Sequence, residues 1–230
     1  MRARLFSCLF LAAWCGAVWL FLDWAAQPSQ APVDDWGRRL DWNVFFTRYL
    51  LPEMPVAERF DFPLRPPDGE GAFVAKPFAF HGHAGEDWNT APGNGDLGEP
   101  VRSPADGRVV LALDFQGGWG KVVLVDYRLP DGSDPAAVEM MFAQLSETAV
   151  QPGQLVKRGE VLGKVGNADG AYAAHLHWEV RRVIGLGLGG AYADDLSPWL
   201  NPSAFVAARH GGPSRVKLLP ASQWEKWGDD

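Results

Sequence analysis

Two short stretches of this sequence carry residues that bind metal. The first is His83-Ala-Gly-Glu-Asp87, and the second, far downstream, is His175-Leu-His177-Trp-Glu179. Zinc accepts imidazole nitrogens and carboxylate oxygens, and His83, Asp87 and His177 supply two of the former and one of the latter. Three protein ligands leave the fourth position open for water, as catalytic zinc requires. His83 and Asp87 are four apart with Gly85 between them. In a turn leaving a strand, that spacing lets both side chains converge while the glycine relieves backbone crowding. His177 must then arrive from a distant strand. His175 lies two residues before it, so on a strand both point to one face, and His81 stands in the same relation to His83. Four of the five histidines fall in these two pairs.

The other metal-site chemistry, thiolate ligation, is not available. Both cysteines, Cys8 and Cys15, lie inside an apolar run from Leu5 to Leu22. The rest of the chain therefore has no disulfide framework, and a cysteine peptidase is excluded. The formal net charge of -7 comes without a basic cluster in the globular part, which argues against nucleic acid as a partner.

The elements that position the site follow from the turn signals. Arg2 and Arg4 precede the apolar run and Asp23 ends it. Eighteen residues at ~1.5 Å each reach roughly 27 Å, close to the ~30 Å hydrocarbon core of a bilayer. Residues 1–26 are thus expected to form a membrane anchor. A signal peptide cleaved after Ala25-Ala26 is the alternative, which Trp24 disfavours. Either way the basic N terminus stays on the cytoplasmic side and the domain is exported to the cell envelope. Residues 27–59 read as a juxtamembrane linker, with helical spacing from Asp34 to Leu51 stopped by Pro52 and Pro55.

From Phe60 the pattern turns to short strands between Gly, Pro and Asp-Gly signals, which predicts an all-β, antiparallel domain over residues 60–206. Strands are expected on both sides of Asp106-Gly107, over Lys121–Tyr127 and Val138–Leu145, around Arg158-Gly159, and from Ala174 to Val183. Gly185 to Gly190 reads as a loop, and without a strand-to-helix context or a following Lys-Ser/Thr it is no phosphate loop. Trp199 to Phe205 reads as a last packing element, and residues 207–230 as a tail with few apolar anchors.

With these motifs in order, the sequence resembles the lysostaphin- or LytM-type zinc metalloendopeptidases, which cut peptide bonds of bacterial peptidoglycan. The resemblance runs from about Phe60 to Phe205. Its matching stretches are 83–89, 98–110, 118–126, 150–163 and His-Leu-His-Trp-Glu-Val at 175–180. It implies a barrel-sandwich-hybrid-like fold, zinc held by His83, Asp87 and His177, and His175 as the catalytic histidine. The family's Tyr-x-His-Leu-Ser strand is here Phe142-Ala-Gln144-Leu-Ser146, so Gln144 stands where relatives carry a second imidazole.

Glutamine can donate a hydrogen bond to an oxyanion but cannot carry a proton. Acid–base help at one centre contributes ~10²–10⁴-fold, so the change predicts a slow or impaired enzyme. A conjecture is that His81 takes the missing role. The alternative is a catalytically inactive, zinc-binding envelope protein that binds peptidoglycan or regulates cell-wall amidases, with an envelope protein as partner. A lipoyl-type carrier is disfavoured: the turn at Val165–Gly170 offers no lysine at its tip, and a carrier gives no reason for His-x-His. Glu86 is expected as an exposed loop acid or a carboxylate behind a ligand. Trp88, Trp119 and Trp178 are expected to pack or to line a groove.

Overall fold

A computed structural model describes residues 51–224, and they pack as one unit. The anchor over 1–26 and the helical spacing over 34–50 lie outside the described residues. Among the described residues, no helix is long and apolar enough to cross a membrane.

The chain is all-β. Its strands are β1 (Phe73–Lys76), β2 (Glu86–Asn89), β3 (Pro100–Arg102), β4 (Gly107–Asp114), β5 (Lys121–Arg128), β6 (Ala137–Thr148), β7 (Leu155–Val156), β8 (Val161–Val165), β9 (Leu176–Arg181), β10 (Trp199–Leu200) and β11 (Lys217–Leu218). Two short helices, α1 (Pro202–Ala207) and α2 (Ala221–Trp224), complete it. Each run of β-branched and aromatic residues forms a strand because its alternate side chains have somewhere to be buried. Between Phe60 and Phe73 the expected strands do not form. Phe60, Phe62 and Leu64 reach the core from irregular backbone.

The main sheet runs β11-β1-β2-β9-β6-β5-β4-β7, with β10 beside β9. Strand β8 leaves this path, pairing with both β6 and β3. The strands on either side of Arg158-Gly159 therefore do not pair with each other: β7 joins β4, and β8 joins β3 and β6. All pairings among these strands are antiparallel except β11 with β1. Val101, Leu162 and Val165 from the side arm share a core with Val123, Val125, Phe142 and Trp178 from the main sheet, so the core lies between two layers.

Strand alternation then divides β5, β6 and β9 into two faces. Val123, Val125, Val138, Met140, Phe142, Leu176, Trp178 and Val180 face the core. Val122, Leu124, Met141 and Ala143 form a separate apolar cluster on the opposite face. His177, Glu179 and Arg181 alternate with the core residues of β9, so they lie on that second face. Packing continues outside 60–206: Leu51, Met54 and Ala57 are buried, and so is His210, beside Phe62.

Candidate metal centre

Antiparallel pairing of β2 with β9 sets Asp87 directly opposite His177. His83 comes from the turn just before β2. Three donor atoms converge: Asp87 Oδ1 lies 2.9 Å from His177 Nδ1, His83 Nε2 lies 3.2 Å from His177 Nδ1, and 3.4 Å separate His83 Nε2 from Asp87 Oδ1. Ligands at ~2.0–2.1 Å from a tetrahedral zinc stand about 3.3 Å apart. The triangle matches that edge length, so its residues fit the ion their chemistry implies.

The outer ring nitrogens of both histidines are engaged as ligation requires. His83 Nδ1 faces the Pro77 carbonyl at 3.3 Å, and His177 Nε2 faces Glu179 Oε1 at 3.1 Å. A carbonyl and a carboxylate only accept, so those nitrogens carry the protons, and the lone pairs of His83 Nε2 and His177 Nδ1 are left for a cation. Glu179 is fully buried and also accepts from Arg181 Nε at 2.7 Å and Trp199 Nε1 at 2.7 Å. Burial works against its ionisation, yet the bond from His177 and the charges of His177 and Arg181 lower it to about 2. Burial disfavours a charged His177, but hydrogen bonds to Asp87 and Glu179 raise it to about 9. Burial likewise opposes a charged Asp87, and His83 and His175 overcome it and hold the carboxylate well below its usual range.

Gly85 is required by closeness. A Cβ there would stand 2.6 Å from the Trp178 carbonyl oxygen, 2.9 Å from Glu179 Cγ and 3.1 Å from His177 Cε1. The chain that carries both His83 and Asp87 thus presses directly on the strand that carries His177.

His175 stands at the rim. Its Nε2 is 3.8 Å from Asp87 Oδ1, and its Nδ1 is 2.8 Å from the Ala173 carbonyl, which fixes the proton on Nδ1 and leaves Nε2 a free acceptor. Gln144 reaches the same face through a bulge. Lys121 pairs with Leu145 and Val123 with Phe142, so β6 carries one extra residue there, and Gln144 sits at φ 61°. The extra residue puts Gln144 beside Ala143 on the His177 face and returns Leu145 to the core. Gln144 is buried. Its Nε2 donates to the Gly118 carbonyl at 3.2 Å, while Oε1 has no partner among the described residues. Phe142 faces the core, away from the metal donors.

Other expectations are corrected. His81 is exposed in a 3-10 turn at φ 50°, its ring tilted against Phe80, so it does not alternate with His83 along a strand and does not join the three donors. Glu86 is no exposed acid: it is buried and accepts from Trp88 Nε1, Ser203 Oγ and the Ser203 N–H at the start of α1. Trp88 and Trp178 are fully buried packing residues, whereas the Trp119 ring lies 5.5 Å from that of His177 and its Nε1 donates to Gly189 in the glycine-rich loop. Sequence reasoning missed the continuation of the polar line behind Glu179. Arg181 Nη1 bonds Glu139 Oε1 at 3.1 Å and the Leu186 carbonyl at 2.9 Å, and the Gly185 N–H bonds Glu139 Oε2. The alternation Glu139-Met141-Ala143 opposite His177-Glu179-Arg181 was the available signal.

Residues 81–192 match the profile of peptidase family M23. Over 84 residues the chain is 40% identical to the cell division protein DipM of Caulobacter vibrioides, covering 36% of this chain and 13% of that protein. It is 38% identical over 84 residues to the DD-carboxypeptidase/endopeptidase Mpg of Neisseria meningitidis, covering 36% and 17%. Among solved structures, lysostaphin from Staphylococcus simulans is similar at 18% identity over 68% of this chain and 56% of that one, with a TM-score of 0.46. The match places residues 81–192 with peptidase family M23, the lysostaphin- and LytM-type class that the motifs resemble. The chain spans less than a fifth of the length of the two curated relatives described.

Proposed function

We propose that this chain is a zinc metalloendopeptidase that hydrolyses peptide bonds of peptidoglycan, with residues 60–206 as its working domain. It acts in the cell envelope, held to the membrane by residues 5–22 or released after signal cleavage. The observation that carries the reading is the convergence of His83, Asp87 and His177 with the free Nε2 of His175 at the rim. The match of residues 81–192 to family M23 supports it, as does the endopeptidase named among the relatives.

Zinc held by the three ligands supplies Lewis acidity toward a water molecule and the scissile carbonyl. His175 accepts a proton at Nε2, because its Nδ1–H is committed to Ala173. Gln144 handles no proton. Its second Nε2 hydrogen is a donor for a developing oxyanion. Trp119 and the 185–190 loop limit access of bulk water on the His177 side.

The neutral Gln144 favours a second reading, a zinc-binding envelope protein that engages peptidoglycan or a cell-wall amidase without cleaving. The relative named as a cell division protein is in keeping with it. The test is to purify the full chain, measure zinc by mass spectrometry, and assay muropeptide release from isolated sacculi. Zinc together with release that His175→Ala abolishes supports the enzyme. Zinc without release, unchanged by Gln144→His, sinks the enzyme and leaves the second reading. A chain without stoichiometric zinc removes both.

A further inference from the structure

The loop that leaves β2 grips the peptide leading into His175. Asn89 Nδ2 donates to the Ala174 carbonyl at 2.7 Å, and the Ala174 N–H donates to Asn94 Oδ1 at 2.8 Å. The His175 N–H is held by the Gly166 carbonyl at 3.1 Å, and its ring by Ala173. Both peptide planes before His175 are therefore fixed by side chains from the end of β2 and the loop that follows it, and the residue's own N–H by β8's outgoing chain. Nothing in the metal triad requires this. Among the described residues, no side-chain hydrogen bond joins Asn89 or Asn94 to His83, Asp87 or His177.

The grip is itself oriented. Asp96 Oδ2 accepts from Asn89 Nδ2 at 3.2 Å and from the Thr90 N–H at 3.1 Å. The Ala174 carbonyl and the Asp96 carboxylate only accept, so both hydrogens of Asn89 Nδ2 are spent and its amide cannot turn over. Asn89 and Asp96 are buried, where an unmade bond is expensive. Asn89 also lies two residues beyond Asp87 on the same strand and, by alternation, on the same face. One four-residue strand thus sets the metal ligand Asp87 and the brace of His175 in fixed relation.

We propose that Asn89 and Asn94, with Asp96 orienting Asn89, are positioning residues for the His175 imidazole. The inference rests on the reading of His175 as the proton-handling group. The brace substitutes for direct restraint of the ring, whose only hydrogen bond among the described residues is to the backbone of Ala173. A ring carried on a loosened 173–175 peptide would lose its alignment with Asp87 and the metal while the three ligands stayed in place.

Asn94 is exposed, so Asn94→Ala tests the brace without threatening the core, and Asn94→Asp restores an acceptor for the Ala174 N–H. The readouts use the full chain: amide exchange at Ala174 and His175, the 15N resonances of the His175 ring, zinc affinity by chelator competition, and kcat and KM on muropeptides. Asn94→Ala is expected to speed exchange at Ala174 about five- to tenfold, the equivalent of one lost hydrogen bond, and to shift the His175 ring signals. Zinc affinity and KM should hold while kcat falls, and Asn94→Asp should recover each change. Unaltered exchange and ring signals in Asn94→Ala would overturn the proposal. So would a loss of zinc affinity in step with them, because the loop would then be shaping the metal triad. A wild-type chain without hydrolysis would refute the functional reading alone, and exchange and ring signals would still decide the brace.

Discussion

Replacing Gly85 by alanine should damage metal binding more than any other single-methyl addition in the chain. The added Cβ stands 2.6 Å from the Trp178 carbonyl oxygen, so that oxygen must recede by about 0.8 Å to reach ordinary van der Waals contact. It cannot do so alone, because Trp178 is paired on both sides, with Glu86 of β2 and Phe142 of β6. The gap between β2 and β9 must widen. His83 and Asp87 lie on one side of that gap and His177 on the other, and a metal site tolerates only about ±0.2 Å in its bond lengths. Overpacking of this kind costs about 1–3 kcal/mol in stability, and the displaced ligands should weaken zinc at least tenfold, roughly 1.4 kcal/mol. Urea unfolding of the metal-free chain reads the first effect and chelator competition the second. Gly187→Ala is the control, since a Cβ there meets nothing within 4 Å. If Gly85→Ala unfolds at the same urea concentration and binds zinc as the parent does, the contact geometry is not what holds the triad.

Arg181→Met should cost about 3–5 kcal/mol in urea unfolding, because it strips the buried cation from Glu139 and Glu179 together, and adding Glu139→Gln should recover part of the loss. Glu179→Gln keeps the shape but weakens the acceptor behind His177, so zinc affinity measured by chelator competition should drop about 10–100-fold. Asp126 is paired across the strands with Glu139, and burial first, then the Glu139 charge, push its carboxyl well above 3.8, with Arg108 opposing. The folded state then holds a proton that the unfolded state releases, so stability falls as pH rises from about 4 through the raised value. Asp126→Asn should melt higher than the parent at pH 7 and equal to it below pH 4; a constant offset at every pH would refute the assignment.

The residue pattern sufficed to name the three donors, the all-β class and the strands from β4 to β9, because ligand chemistry and alternation with period two are written locally. It also pointed to Gly85 as a position of crowding. Assembly was not local. The register that sets Asp87 opposite His177 depends on two strands far apart in the chain. His81 illustrates the limit: its spacing from His83 is that of a strand pair, but the turn at 80–82 rotates it into solvent. Glu86 reads as a loop acid by composition and becomes a buried anchor only because α1 begins against it. Gln144 could be identified by its neighbours in sequence, yet only the bulge at φ 61° turns it from the core face to the metal face. Sequence alone pointed to the atoms whose chemistry suits zinc and, through the resemblance, to Gln144 where the family carries an imidazole. Tertiary structure decided which of those atoms meet, which proton each ring nitrogen carries, and what braces His175, since each of these is a contact between strands and loops whose separation along the chain leaves no periodic trace.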